Sequence, residues 1–592
     1  MNLSDELNKV IKQYAEGNKL SAYKKFKKIY LQNNKNINMR FNLAVMQQEL
    51  GFLDEAELNY KSLIKNNSDL KSKTNLYILY FSKELFREAL NIIKDLEKEN
   101  STLTQIYQDK AYALFRLKNY EASINVCKKI LNKENKNIKV LNTLGLSYLS
   151  IKKYKEANNI FLKAIKIDTN NIEVLNSLGR LNHEIRNSKD AEVYFLKALK
   201  INPKIFETLN NIAGFYLEEG EYNKALKFYK NAESLRPKNS IVINNIAKTY
   251  LSIGKIKNAE NYCRKALSLE NENSDINKTF ALILLRKYDF KKAWMHFDGR
   301  LGLSDFISKN TTLDFVKNKL PKNHSININS KILVLREQGV GDELLYGTMY
   351  SDLFNKYNNV IIESDPRLID LFKNSFRKVD CNKFVELGHH SKNKNSIEKF
   401  DYVIYAGSLG RYFRKSRESF SNTPYLKKIN NYRNKELDSI IESHRGLKIG
   451  LSWKSFKNRY AKEKSLELDN FDLIFKKENS IFFNLQYGDI NNEINLFNKR
   501  NNKKIITLKN LDLFNDFNGL ANLLSKLDIF ITVSNSTAHL AGALGVKTLL
   551  IKPANHAAYH YWDYEDGKTP WYNSLKIINK KDLSNKEFIK KI

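Results

Sequence analysis

The sharpest chemical signal in the chain is Ser534-Asn535-Ser536-Thr537, inside LDIFITVSNSTAHLAGALGVKTLLIKP. An apolar run ends in four small polar residues, and the AHLAGALG that follows is small enough for a helix to lie close on a sheet. The first turn of a helix carries unpaired N–H groups and the positive end of its dipole, so it suits an anion. Ser536 or Thr537 alone would serve as a helix cap, and four polar residues in a row exceed that need. His539 on the first turn fits either a phosphate contact or a structural hydrogen bond. GALGVKT is not a Walker A loop, because Val546 separates Gly545 from Lys547.

Three other loops carry chemistry-bearing types. In KILVLREQGVGDELLYGTMY, Gly339 and Gly341 permit close backbone approach, and Asp342 stands where a helix begins, as an N-cap or as a general base. In IGLSWKSFKNRY, Lys454 follows a strand with Lys457 and Arg459 nearby. That cluster suits a diphosphate, and equally reads as a solvated basic loop. In IFFNLQYGD, Gln486 and Asp489 are ribose or base contacts, or an ordinary turn.

These loops need strand ends to hold them. Short apolar runs at 331–335, 360–363, 402–406, 448–453, 481–486, 505–508, 529–534 and 548–552 alternate with helical stretches. That grammar predicts two parallel-sheet lobes, 329–435 and 446–592, joined by a polar stretch near 428–446. In open sheets of this kind ligands lie beyond the C-terminal strand ends. Residues 301–328 read as an extended linker.

Residues 1–300 follow another rule. Gly145, Gly179, Ala213 and Ala247 recur every 34 residues, as do Ala157, Ala191, Ala225, Ala259 and Ala164, Ala198, Ala232, Ala266. Small columns in phase let paired helices approach, while Leu144, Leu178, Tyr148, Tyr216, Tyr250, Phe161, Phe195 and Phe228 fill the space between. Pro203 and Pro237 fall between repeats, where a helix must stop. The pattern resembles the tetratricopeptide repeat, with earlier copies near Ala44–Ala56 and Ala111–Tyr120 and a last one at ALILLRKYDFKKAWMHFDGRL, where Trp294 is read at the second-column position. Eight or nine helix pairs would then form an α-solenoid with a concave groove. Asn142, Asn176, Asn210 and Asn244 also recur at 34. Such a ladder could hold an extended peptide, since an amide both donates and accepts, as in the repeat-bearing protein O-GlcNAc transferases it resembles; it also fits plain Asn abundance on an exposed face.

Together the four loops resemble the heptosyltransferase-like glycosyltransferases (family 9, GT-B fold) in the version appended to tetratricopeptide repeats, over roughly 285–575. Trp294, Arg300 and Pro570-Trp571-Tyr572 are also similar to that repeat-linked group. The resemblance implies Asp342 as catalytic base, and Gly339, Gly341, Lys454, Gln486, Ser534, Asn535, Ser536, Thr537 and His539 around a nucleotide-diphosphate sugar. Ser534 departs from it, standing where the family has aspartate. No D-x-D occurs in the chain, which fits metal-free transfer; the sugar nucleotide is a co-substrate and no other cofactor is expected.

The formal charge of +34 identifies little: residues 1–300 carry +19 and 301–592 carry +15, interspersed with acids as on a solvated surface. Nucleic acid is therefore not the expected partner, and steering of anionic sugar nucleotides or peripheral contact with anionic membranes remains compatible. Cys127, Cys263 and Cys381 are too few and too scattered for a disulfide framework or four-cysteine zinc site, and fit a reducing compartment. MNLSDELNKVIKQYAEGNKL lacks an apolar signal core, and no run of about 18 apolar residues exists. A cytoplasmic protein is expected.

Overall fold

The structure, a computed structural model, describes residues 3–67, 69–98, 104–303, 306–307, 316–321, 326–377, 379–421, 423–430, 432–455, 465–552, 561–562 and 568–590. The chain forms two compact units, 1–211 and 212–592, and the boundary lies inside the helix Phe206–Glu218.

Among the described residues the first unit holds six helix pairs, from Leu3–Ala15 with Lys19–Gln32 to Ile172–Glu184 with Ser188–Ile201. The small columns have a direct steric cause. A Cβ on Gly145 would lie 2.4 Å from the Phe161 ring, and one on Gly179 would lie 2.6 Å from Phe195. Each turn inside a pair places one residue in the left-handed region, as at Lys118, Lys152 and Arg186 with φ of 63°, 62° and 65°. Much of the asparagine richness is capping: Asn137 and Asn171 accept from the N–H three residues on, at 3.2 and 3.1 Å.

The second unit begins with three further pairs, ending at Ser274–Arg286 and Phe290–Phe297. Here Tyr222 and Tyr229 are the buried aromatics of the helix Tyr222–Leu235, and half-buried Phe228 stacks on Tyr216 at 5.6 Å. The second column continues at Ala293, fully buried and 34 residues after Ala259, rather than at Trp294. Trp294 instead turns to the α/β part, donating from Nε1 to the Arg414 carbonyl at 2.6 Å. A Cβ on Gly410 would lie 2.6 Å from the Trp294 ring, so glycine is required there. Cys127 and Cys263 are buried, their thiols pushed up to about 12 by burial.

The α/β part consists of two parallel sheets. The first orders β3 (Phe384–Glu386), β2 (Val360–Ser364), β1 (Ile332–Leu335) and β4 (Tyr402–Tyr405). Ile332 pairs with Val360 on one side and Tyr402 on the other. The second orders β10 (Leu575–Asn579), β9 (Thr548–Lys552), β8 (Ile529–Thr532), β5 (Leu447–Ser452), β6 (Ser480–Asn484) and β7 (Ile505–Ile506). In both sheets the first strand sits between the second and the fourth, so the order reverses beside β1 and beside β5. Those reversals are the switch points where such sheets receive ligands. The stretch 301–328, expected as an extended linker, contributes Phe306 and Val316 to the core of the first sheet, against Leu333, Leu335 and Tyr405. No helix among the described residues is long and apolar enough to cross a membrane.

Candidate functional site

The two switch points open on one cavity of about 390 Å³. It is lined, among others, by Gly339, Gly341 and Asp342 from the first lobe and by Ser534, Asn535, Ser536 and His539 from the second. These are the first turns of the helices Val340–Gly347 and Ser536–Leu544 and the residues just before them. Two helix N-termini therefore meet on one space, which favours an anion there.

Each expected residue has a definite place. Asp342 is buried on the cavity wall, and its Oδ2 accepts the Gly339 N–H at 3.3 Å. It is the third residue of its helix and not the N-cap, which is Gly339. Gly341 lies close to the second lobe: a Cβ there would lie 3.1 Å from His539 Cδ2 and 3.4 Å from Ser536 Cα. His539 is buried, with Nδ1 3.2 Å from the Tyr572 hydroxyl and its ring 4.6 Å from Trp562 and 5.0 Å from Tyr561. The hydroxyls of Tyr561 and Tyr572 are held well above their ordinary range by burial, with the charge of Asp342 adding to it. Ser534 accepts the Trp562 indole N–H at 3.0 Å.

Four expectations are corrected. Asn535, not Ser536 or Thr537, caps the second helix, accepting the Ala538 N–H at 3.0 Å while donating to Ser452 Oγ at 2.8 Å and Thr532 Oγ1 at 3.2 Å. Thr537 is buried and does not line the cavity. Gln486 is also buried and off the cavity: its Oε1 accepts the Trp453 and Lys454 N–H groups at 2.9 and 2.7 Å and the Ser452 hydroxyl at 3.0 Å. Its amide welds the ends of β5 and β6. Lys454 Nζ is ion-paired with Glu493 at 2.5 Å, away from the cavity lining. Lys457 and Arg459 lie outside the described residues.

Around the first lobe's loop stands a set of buried charges, of which the sequence pointed only to Arg300. Arg300 donates to both oxygens of Glu337 at 2.6 and 2.9 Å, and Glu337 also accepts the Gly407 N–H. Arg336 pairs with Asp365 at 2.6 Å and with Glu343 at 3.4 Å. Burial raises the Glu343 carboxyl to about 7, against the opposing pull of Arg336. Arg367, Tyr487, Phe514, Phe517 and Tyr561 also line the cavity without having been singled out. Each follows a strand that the sequence did reveal (β2, β6, β7 or β9), so the strand-end rule, applied to every strand, would have reached them.

The asparagine ladder is largely internal. Asn142 Oδ1 accepts the Ser177 hydroxyl at 2.8 Å, and Asn176 Oδ1 accepts from Asn211 at 3.2 Å. Asn244 is 1 % exposed and donates to Asp275 at 2.9 Å. Asn142 and Asn244 are thus closed to a peptide, while Asn176 and Asn210 are half-buried.

Family models for the tetratricopeptide repeat match residues 138–171, 172–205, 194–227 and 242–273. Protein FlbA of Caulobacter vibrioides is 26 % identical over 261 residues, covering 42 % of this chain and 43 % of that protein. The chain thus spans less than half the length of that curated relative. Among solved structures, pilF of Pseudomonas aeruginosa is 21 % identical with a TM-score of 0.28, covering 37 % of this chain and 85 % of its own. MamA is 25 % identical with a TM-score of 0.24, covering 28 % and 95 %. YrrB, described as a repeat protein with an unusual peptide-binding site, is 20 % identical with a TM-score of 0.24, covering 31 % and 95 %. The helix pairs of this chain over 138–273 carry tetratricopeptide repeats.

Proposed function

We propose that the α/β part is a metal-independent, inverting glycosyltransferase that moves a sugar from a nucleotide-diphosphate donor to a glycan or protein. The repeats recruit that acceptor or a partner protein, the general office of such arrays, and the cytoplasm is the proposed setting. The observation that carries this reading is the convergence of Asp342 with Ser534, Ser536 and His539 on one cavity at two switch points. Asp342 takes the proton of the acceptor hydroxyl as that oxygen bonds to the anomeric carbon and the nucleoside diphosphate departs, a role worth typically 10²–10⁴-fold. The two helix N-termini stabilise the leaving diphosphate where its charge develops.

A second reading is a non-catalytic repeat scaffold or sugar-nucleotide sensor. Ser534, committed to Trp562, and Lys454, committed to Glu493, favour it. Calorimetry with a panel of nucleoside diphosphates and their sugars separates the two. Binding followed by donor hydrolysis or transfer supports the enzyme, and binding without turnover supports the sensor. A gel shift at about 50 mM salt is expected to detect no nucleic acid complex.

A further inference from the structure

We infer that the aromatic part of the cavity wall is a stacking seat for the nucleobase, built from Tyr487 and Phe514 of the second lobe and positioned by Arg367 of the first. This rests on the nucleotide-sugar reading above. The cavity lining has two chemically distinct parts: the helix N-termini with Asp342, and the apolar side chains of Tyr487, Leu513, Phe514 and Phe517. A nucleoside diphosphate has the same two-part character, an anionic tail and a flat ring.

Phe514 is the informative residue. It is 56 % exposed although it lines the cavity, so part of its ring is left uncovered by protein. Yet its place is fixed from several sides. Asp512 accepts the Phe514 and Asn515 N–H groups at 2.9 and 3.0 Å, which closes the turn. Arg367 Nη1 donates to the Phe514 carbonyl at 3.1 Å. The guanidinium lies 5.3 Å from the Phe514 ring and 5.5 Å from Phe517, within cation–π range. Tyr487 stands 5.7 Å from Phe514 at 55°, so the two rings are tilted and not stacked on each other. A held, uncovered aromatic ring on a cavity wall suits a planar guest.

Arg367 is a positioning residue in this arrangement and not a phosphate ligand. Asp365 engages it at 2.8 Å through Nε and 3.0 Å through Nη2, which offsets its charge and fixes its plane. Its remaining bond goes to the second lobe, so Arg367 ties the seat to the first. Stacking reads no hydrogen-bond code, so this wall by itself admits purines and pyrimidines alike.

The test is calorimetric titration of the full chain with ADP, GDP, UDP and inorganic pyrophosphate, comparing wild type, Phe514→Ala and Phe514→Trp. Phe514→Ala should weaken all three nucleotides by about 5- to 150-fold, the range of one lost base–aromatic stack. It should leave pyrophosphate unchanged, and Phe514→Trp should restore the nucleotide affinity. Equal nucleotide affinity in wild type and Phe514→Ala overturns the seat while leaving the transferase reading intact. A parallel loss of pyrophosphate affinity also overturns it, since the side chain would then act through the fold. If wild type binds no nucleoside diphosphate, the seat and the reading beneath it fall together.

Discussion

In the first lobe the loop after β1 is held by buried charge, with Arg300 on Glu337 and Arg336 on Glu343 and Asp365. In the second lobe the equivalent loop after β5 is held at its buried end by neutral amides, Gln486 and Asn535, with one partly exposed ion pair, Lys454 on Glu493, beyond them. Both loops leave the first strand of a sheet at the same topological position, so the difference lies in how backbone polar groups are satisfied. Charge couples the first loop to a distant part of the chain, because Arg300 follows the last repeat helix. The end of the repeat array and the Asp342 loop therefore behave as one piece of structure. Amides keep the second loop local, and they use up side chains that their types had recommended as ligands.

The largest effect expected of this contrast is catalytic. Asp342→Asn should lower transfer by roughly 10²–10⁴-fold while leaving nucleotide affinity near wild type, whereas Gln486→Asn should alter stability more than chemistry. Parallel turnover and calorimetry on both variants would read this.

Next in size is the buried pair. Glu337→Ala removes the bidentate partner of the Arg300 guanidinium, which is 2 % exposed, and leaves it paired with Asp298 at 2.9 Å; it should cost up to about 3–5 kcal/mol in denaturant unfolding of the α/β part. If it costs no more than a surface substitution, the claim that charge holds this loop is wrong.

The third prediction concerns pH. The Glu343 carboxyl titrates near 7 in the folded chain against an ordinary value of 4.5, so folding binds its proton more tightly. Its stabilising contribution is complete below about 4.5 and is lost as pH rises through about 7. The expected fall is up to roughly 3 kcal/mol. Glu343→Gln should flatten the stability profile across that window, and the amide-held second loop should add no slope of its own. Denaturant midpoints measured from pH 4.5 to 8 for both proteins would test it.

The smallest effect is at Lys454. Its pair with Glu493 is half-exposed, so Lys454→Met should change stability by about 0–1 kcal/mol. Nucleotide affinity should stay within a few-fold. A large loss of diphosphate binding would mean that Lys454 leaves Glu493 for the ligand.

The repeats were legible because their cause is steric and periodic: a glycine against Phe161 or Phe195 must recur wherever the pair recurs. The asparagines misled because capping and inter-repeat bonds use the same residue, at the same period, that a peptide-binding ladder would. Eight of the ten strands among the described residues were visible as apolar runs; β3 has only three residues, and β10 buries only Leu575 and Ile578 of its five. At the site, Asp342, Ser534, Asn535, Ser536 and His539 were legible because the strand-end rule selects them. Lys454 and Gln486 pass the same rule, and sequence cannot say that Glu493 and three donors around the end of β5 have already claimed them. Arg300 and Glu337, 37 residues apart, form a pair that no local pattern encodes.

The central claim is that one cavity at two switch points binds a nucleotide-diphosphate sugar. Titrating the full chain with a panel of nucleoside diphosphates tests it most directly. The account predicts saturable binding of at least one of them, weakened by Phe514→Ala and unaffected by Asp342→Asn. No heat with any member of the panel would contradict it.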